Sequence, residues 1–373
     1  MIIGSFSGGN FGDNMILLSA ISILKKSLGG ETRFIIPTSN PDFVNCLLGS
    51  NTVKAIDINI KRTLSFRFLS FSLIRELRHL DAIVTTAGIF FDQKLWNPRF
   101  NFVSSLLPLL YLAKTRKIKI IGLGTGASMH TSKLGEYFLK HTIKKHDIII
   151  ARDVFSYEYK RSFNPNVILK YDIAHSVFKE KAFISHEKKH CIGINISSYL
   201  KGTYSGDKSV ISIDAWTDNF AEFITELQKK HTVKFFATTK KDYALNQVIV
   251  DKLNENVANI NLYDCNTNNL IEYFSDIKIN IGSRLHFCVL SISLLIPTIA
   301  LSYHTKVNEY MASLGMENLI CPIEQIDLAK LRVMIKYIIQ NEANIKSSLQ
   351  DSTSKINKDV NSLYPLIIKI LSD

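Results

Sequence analysis

Two stretches in the last third of the chain carry the side chains best suited to chemistry. Ile277-Lys278-Ile279-Asn280-Ile281-Gly282-Ser283-Arg284-Leu285-His286 reads as an alternating strand that ends in glycine and then releases an arginine and a histidine. Ile296-Pro297-Thr298-Ile299-Ala300-Leu301-Ser302-Tyr303 reads as a second buried strand, with Lys306 just past its end. Ligands of open α/β sheets bind at the carboxyl ends of strands, so Arg284, His286 and Lys306 are expected to converge on one crevice. Two fixed cations and a histidine able to carry a proton suit a small, strongly anionic substrate. The alternative for any one of them alone is a surface cation or a satisfied, partly buried histidine.

Other strand ends supply weaker candidates. Gly8-Gly9-Asn10-Phe11-Gly12-Asp13 lies between a first strand and a first helix. Its glycines let the backbone pass close to a ligand, while Asn10 and Asp13 could bond sugar hydroxyls. A tight turn with Asp13 as helix cap is the other reading. It is neither a dinucleotide fingerprint nor a phosphate loop. Thr85-Thr86-Ala87-Gly88-Ile89-Phe90-Phe91-Asp92 places Asp92 where it could take a proton from an acceptor hydroxyl, or stand as an ordinary solvated acid. Gly122-Leu123-Gly124-Thr125-Gly126 again follows a strand. Arg152 emerges at the end of Ile148-Ile149-Ile150-Ala151, either reaching for a ligand or pairing with Asp153 or Asp172.

The elements that must hold these residues alternate strand and helix, which predicts parallel, doubly wound sheets. Strands are expected at Ile2–Phe6, Arg33–Ile36, Ala82–Thr85, Ile118–Gly122, Ile148–Ala151, Cys191–Ile196, Val233–Ala237, Ile277–Ile281 and Thr298–Leu301, with helices over Met15–Ser27 and Asp218–Lys230. At 373 residues the chain has room for two domains. The charged stretch around His186-Glu187-Lys188-Lys189-His190 suggests the break. The expected organisation is an N-terminal Rossmann-like domain over 1–186, a C-terminal one over 187–330, and a helical tail over 331–373 packing back on both. The two domains are expected to face each other across a cleft.

Composition narrows the class. No apolar run reaches the ~18 residues of a membrane span, and the start of the chain reads as a strand, not a signal peptide. The five cysteines are scattered, without a C-x-x-C pair, so neither a zinc site nor a disulfide framework is expected, and a reducing cytoplasm fits. The formal charge of +12 lies in the first half: residues 1–181 hold 25 Lys+Arg against 13 Asp+Glu, and residues 182–373 hold 20 against 20. A one-sided basic field implies an anionic partner. Lys61 to Arg78 mixes cations with Phe and Leu, as a membrane-surface helix does, or as an amphipathic helix docked on its own domain does.

Together these segments resemble the polysaccharide pyruvyltransferase family. The resemblance rests on Gly9-Asn10-Phe11-Gly12-Asp13, Gly122-Leu123-Gly124-Thr125-Gly126, Ala151-Arg152-Asp153 with Ser156, Asp172 with Ala174, Gly282-Ser283-Arg284-Leu285-His286, and Ser302-Tyr303 with Lys306. It spans residues 4 to about 316. It implies a GT-B-like fold and transfer of pyruvate from phosphoenolpyruvate to a sugar of a polysaccharide repeat, leaving a cyclic ketal and phosphate. Arg152, Arg284, Leu285 and Lys306 would bind the donor, with His286 and Asp92 as the acid/base pair and Asn10 and Asp13 towards the acceptor. No cofactor or metal is expected beyond phosphoenolpyruvate as co-substrate. The expected acceptor is a lipid-linked or nucleotide-linked sugar. The protein would be cytoplasmic, with its basic half at the anionic inner face of the cell membrane if that half meets lipid; no nucleic acid is expected. The sequence departs from relatives at Thr86-Ala87-Gly88, Ala127 and His304-Thr305, which bears on the acceptor more than on the reaction. A nucleotide-sugar glycosyltransferase of the same architecture, with Glu272 on the ribose, is the main rival reading, and a polyanion binder comes last.

Overall fold

The computed structural model describes residues 1–58, 67–86, 102–127, 132–178, 190–198, 213–253, 256–264, 269–302, 305–323 and 327–372. The chain forms two compact units. One comprises Met1–Gly8, Asp13–Val177 and Asn357–Asp373; the other comprises Gly9–Gly12 and Phe178–Ile356.

The first unit alternates strand and helix as expected: β1 (Ile2–Ile3), α1 (Phe11–Leu28), β2 (Phe34–Thr38), α2 (Pro41–Leu48), β3 (Val53–Asp57), α3 (Phe71–Glu76), β4 (Ala82–Thr85), α4 (Phe102–Thr115), β5 (Lys119–Thr125), α5 (Lys133–Lys144), β6 (Ile148–Ala151), α6 (Val154–Arg161) and β7 (Val167–Leu169). A parallel five-stranded sheet runs β1-β4-β5-β6-β7, and β2 pairs with β3 beside β1. Leu73, Leu77, Leu106, Leu110, Leu139 and Ile143 bury the inner faces of α3, α4 and α5 against Ile83, Ile120 and Ile149 of the sheet. These helices sit on one face because the chain steps through β4, β5 and β6 in one direction, and right-handed crossovers then all fall on the same side.

After α7 (His175–Phe178), the second unit follows with β8 (Cys191–Asn195), α8 (Ile213–Gln228), β9 (Thr232–Ala237), α9 (Lys240–Val250), β10 (Ala258–Asn261), α10 (Leu270–Phe274), β11 (Ile277–Gly282), α11 (Leu285–Ser293), β12 (Thr298–Ser302), α12 (Thr305–Ser313), β13 (Ile320–Pro322), α13 (Leu328–Gln340) and most of α14 (Glu342–Asn361), whose last residues, with α15 (Leu363–Ser372), return to the first unit. Its six parallel strands run β10-β9-β8-β11-β12-β13, the order of a Rossmann sheet. The order reverses between β8 and β11, so the crevice rule points to the carboxyl ends of those two strands. Phe236, Phe274 and Phe287 stack beneath that edge, with centroids 4.4–5.8 Å apart.

Buried contacts divide the chain after Val177 and group Asn357–Asp373 of the tail with the first unit, while the expected break at 186/187 lies outside the described residues. Residues 9–12 belong with the second unit, because Phe11 N–H donates to the Thr238 carbonyl at 2.9 Å and Asn10 bridges Thr239. Cysteine spacing predicted free thiols; Cys191, Cys288 and Cys321 are free and buried, but Cys46 is disulfide-bonded, a proximity that linear spacing does not encode.

Candidate functional site

In the second unit the site grows from the end of β8. Asn195 is fully buried, and each of its polar groups ties a neighbouring segment. Its Nδ2 donates to the Phe236 carbonyl at 2.9 Å, its Oδ1 accepts from Arg284 N–H at 3.1 Å, and its carbonyl accepts from Ser283 N–H at 3.0 Å. The turn between β11 and α11 is thereby pinned to β8 and β9. Arg284 is the N-cap of α11, with φ −89° and ψ 131°, and makes no side-chain cap bond. Leu285 and His286 form the first turn, half-buried, before the helix sinks into the core at Phe287. The positive end of the helix dipole therefore coincides with Arg284 and His286.

The Arg284 guanidinium does not stand alone. Its Nε donates to Asp242 Oδ2 at 3.1 Å and its Nη2 to Asp242 Oδ1 at 2.7 Å. Asp242 is fully buried near the start of α9, and it also accepts from Ser198 N–H at 2.9 Å and Thr238 Oγ1–H at 2.8 Å. Four donors saturate this carboxylate, which offsets its burial and fixes the plane of the arginine. Thr239 caps α9 through Asp242 N–H. Sequence reasoning missed Asp242, although Thr238-Thr239 directly after a strand was a readable strand-end signal.

His286 meets an unexpected neighbour. A Cβ built at Gly12 would lie 2.2 Å from its Nδ1 and 2.8 Å from its Cγ. Only a glycine lets the start of α1 lie against this imidazole. Asn10 Oδ1 accepts from Gly12 N–H at 3.0 Å, so Asn10 caps the helix start, while Asp13 sits in the first turn and is not the cap. Lys306 opens α12 on the strand next to β11 and is half-buried, at the same sheet edge as Arg284 and His286. Cys288 sits one residue further along α11 than Phe287. Burial pushes its thiol up to about 12, so it serves packing and not nucleophilic chemistry.

In the first unit, Gly122–Thr125 is the end of β5 and not a loop after it, and Gly126 is the first residue beyond the strand. The ladder to β6 slips between Gly122 and Thr125, where Gly124 adopts φ +64° against Ile173. Gly126 leaves room for Arg152, whose Nε and Nη2 would lie 3.3 Å from an added Cβ. Arg152 is 9% exposed, and its Nη1 donates to Asp172 Oδ2 at 3.2 Å. Asp153 instead caps α6 through Ser156 N–H at 2.7 Å, and Ser156 Oγ accepts from Ala127 N–H at 2.7 Å. Beneath the same strand end, fully buried Lys160 donates to the Thr125 carbonyl at 2.8 Å and to its Oγ1 at 2.6 Å. His146 Nδ1 bonds the Thr142 carbonyl at 2.9 Å and its Nε2 bonds Thr85 Oγ1 at 2.7 Å; burial lowers its pKa to about 4 and keeps it neutral. Asp92, Tyr303, His304 and residues 61–66 lie outside the described residues. Among the described residues, no three His, Cys, Asp or Glu side chains gather as metal ligands would, and no helix is long and apolar enough to cross a membrane.

Two parallel α/β units, the second with Rossmann strand order and a cationic strand-end site at its reversal point, define a protein of the GT-B type. UDP-GlcNAc 2-epimerase from Neisseria meningitidis, solved with UDP-GlcNAc, shares the fold with a TM-score of 0.62 at 16% identity over 97% of each chain. The same enzyme from Methanocaldococcus jannaschii gives a TM-score of 0.59 at 12% identity over 90% of each chain. A search of curated proteins found no significant match. The chain belongs to the polysaccharide pyruvyl transferase family, whose match runs over residues 10–305.

Proposed function

We propose that this transferase moves the enolpyruvyl-derived group of phosphoenolpyruvate onto a sugar of a polysaccharide repeat unit, closing a cyclic pyruvate ketal and releasing phosphate. The observation that carries this reading is the position of Arg284-Leu285-His286 at the start of α11, on the strand-order reversal, with Lys306 opening α12 beside it. A donor bearing both a carboxylate and a phosphate needs several positive elements at once. The α11 dipole, the Arg284 guanidinium and the Lys306 ammonium supply them. Asp242 takes the Nε side of Arg284, which leaves to the donor at most the outer Nη edge. Leu285 closes the apolar side against the methylene carbon.

His286 delivers a proton to that methylene carbon, creating an oxocarbenium-like centre at the neighbouring carbon, and one sugar hydroxyl adds there as it loses its proton. The C–O bond to phosphate then breaks, phosphate leaving with the electron pair and accepting a proton, and a neighbouring hydroxyl adds to the regenerated oxocarbenium-like centre, losing its proton as the ketal ring closes. A positioned acid or base of this kind contributes about 10²–10⁴-fold. Asn10 binds acceptor hydroxyls, and Asp92 is the base for the attacking hydroxyl. For Arg152 and Asp13 the donor and acceptor roles rest on the motif match alone. The acceptor is a lipid-linked or nucleotide-linked sugar, no metal or cofactor takes part, and the reaction belongs to the cytoplasmic side of the cell membrane.

Labelled phosphoenolpyruvate incubated with a panel of lipid-linked glycans, followed by mass analysis for a pyruvate ketal, tests the reading. Arg284→Ala and His286→Ala should each abolish the product, and a fully active His286→Ala enzyme discards the acid/base assignment. The fold shared with sugar-nucleotide epimerases favours one competing reading, a nucleotide-sugar glycosyltransferase with Glu272 of α10 on the ribose. That reading requires release of a nucleoside diphosphate from a sugar nucleotide and no phosphate from phosphoenolpyruvate.

A further inference from the structure

The outer face of helices α4 and α5 in the first unit combines exposed aromatic and leucine side chains with an excess of cations, of which Lys114 is paired with Asp147 at 2.6 Å. In α5 the buried stripe is Gly135, Leu139, Thr142 and Ile143. The opposite stripe presents Lys133, Leu134, Tyr137 and Lys144 to solvent, with Tyr137 53% and Leu134 41% exposed. Alongside, α4 contributes Tyr111, 45% exposed, and its C-terminal turn contributes exposed Arg116 and Lys117. From the start of α4 to residue 117, and again from Lys133 to Lys145, the described residues hold seven Lys and Arg against one acid, Glu136. The neighbouring α3, packed on the same core, adds Phe71, 85% exposed, with exposed Arg75 on its following turn.

We infer that this helical face docks on an anionic phospholipid surface, with Tyr111, Leu134 and Tyr137 at the headgroup–acyl boundary and the lysines on the lipid phosphates. Charge complementarity selects the occupant, because a face this basic repels a second basic copy and attracts a negatively charged leaflet. Ring geometry separates lipid from nucleic acid. Base stacking needs an open aromatic face. Here the Lys145 ammonium covers Tyr111 at 3.7 Å, and the His141 ring lies 4.0 Å from Tyr137. Such rings still offer an apolar edge and a polar tip, which is what the membrane interface favours. The face lies wholly within the first unit, and the inference does not depend on which donor the enzyme uses.

The test is flotation of the full chain with vesicles of phosphatidylcholine alone or mixed with phosphatidylglycerol, without donor or acceptor. The chain should bind the anionic vesicles, lose binding as salt is raised, and ignore the neutral ones. Each basic residue near a charged bilayer is worth roughly fivefold in partitioning, so Lys133→Glu with Lys144→Glu should lower binding more than tenfold. Tyr137→Ser should also weaken it while leaving the circular dichroism spectrum and unfolding midpoint unchanged. Equal binding to both vesicle types overturns the inference, as do absence of binding, tighter binding to single-stranded or duplex nucleic acid, or a salt-sensitive dimer abolished by the same substitutions.

Discussion

Replacing Gly12 by alanine isolates one geometric claim, that the start of α1 sets the position of the His286 ring. The added methyl would stand 2.2 Å from Nδ1, 2.8 Å from Cγ and 2.9 Å from Cε1, where ordinary contact begins near 3.4 Å. The imidazole must therefore retreat by more than an ångström. Because the obstacle is a side chain and not backbone, the ring moves and the fold survives. An off-rotamer side chain costs about 0.5–1.5 kcal/mol, so the unfolding free energy should fall by about that much. Catalysis is less forgiving, since a misplacement of ~1 Å can cost about 10²-fold, equivalent to roughly 2.7 kcal/mol at the transition state. Turnover, read as phosphate release from phosphoenolpyruvate in the presence of acceptor, should drop by that factor with little change in donor affinity. The His286 ring resonances should shift in the NMR spectrum. Gly30→Ala is the control, because its methyl meets nothing within 4 Å and its backbone is not in the left-handed region. Unchanged His286 resonances in Gly12→Ala would refute the contact; shifted resonances with full turnover would refute the acid/base role.

Asp242→Asn leaves the Arg284 guanidinium without its buried counter-charge. Breaking such a pair costs ~3–5 kcal/mol, and the 14% exposure of Arg284 argues for the lower end. Urea unfolding of Asp242→Asn, Arg284→Gln and the double variant should give a strongly non-additive cycle, and additive losses would deny the coupling. His146 predicts a pH dependence of stability. Its pKa falls from 6.5 to about 4 on folding, so the unfolded chain binds more protons between those values. The contribution is complete above pH 6.5 and lost as pH falls towards 4, up to roughly 3 kcal/mol. His146→Gln should flatten that part of the stability curve, and an unchanged slope would count against the assignment. Gly124→Ala places a Cβ 2.7 Å from Ile173 at φ +64° and should cost about 1–3 kcal/mol in chemical unfolding; a neutral result would mean that the β5 slip is not required.

Much of this protein could be read from period and punctuation. β4 and β6 fall on Ala82–Thr85 and Ile148–Ala151 as expected, because short apolar runs bounded by turn residues leave few alternatives. The placing of Arg284 and His286 was legible for the same reason, since a strand that ends in Gly282-Ser283 must deliver the next side chains to the sheet edge, and Lys306 follows β12 in the same way. β5 was read too short, because glycines 122 and 124 look like a loop until a partner strand accepts them.

Local sequence thus determined the element order, the parallel α/β class and which strand ends carry charge, since those depend on side-chain periodicity over a few residues. Tertiary structure alone decided that Asp242 clamps Arg284, that Gly12 touches His286, and that residues 9–12 belong to the second unit. Those partners are 42 residues apart in one case and more than half the chain apart in the other. Their pairing follows from strand order and the burial of polar groups that must find a donor, neither of which a linear pattern encodes.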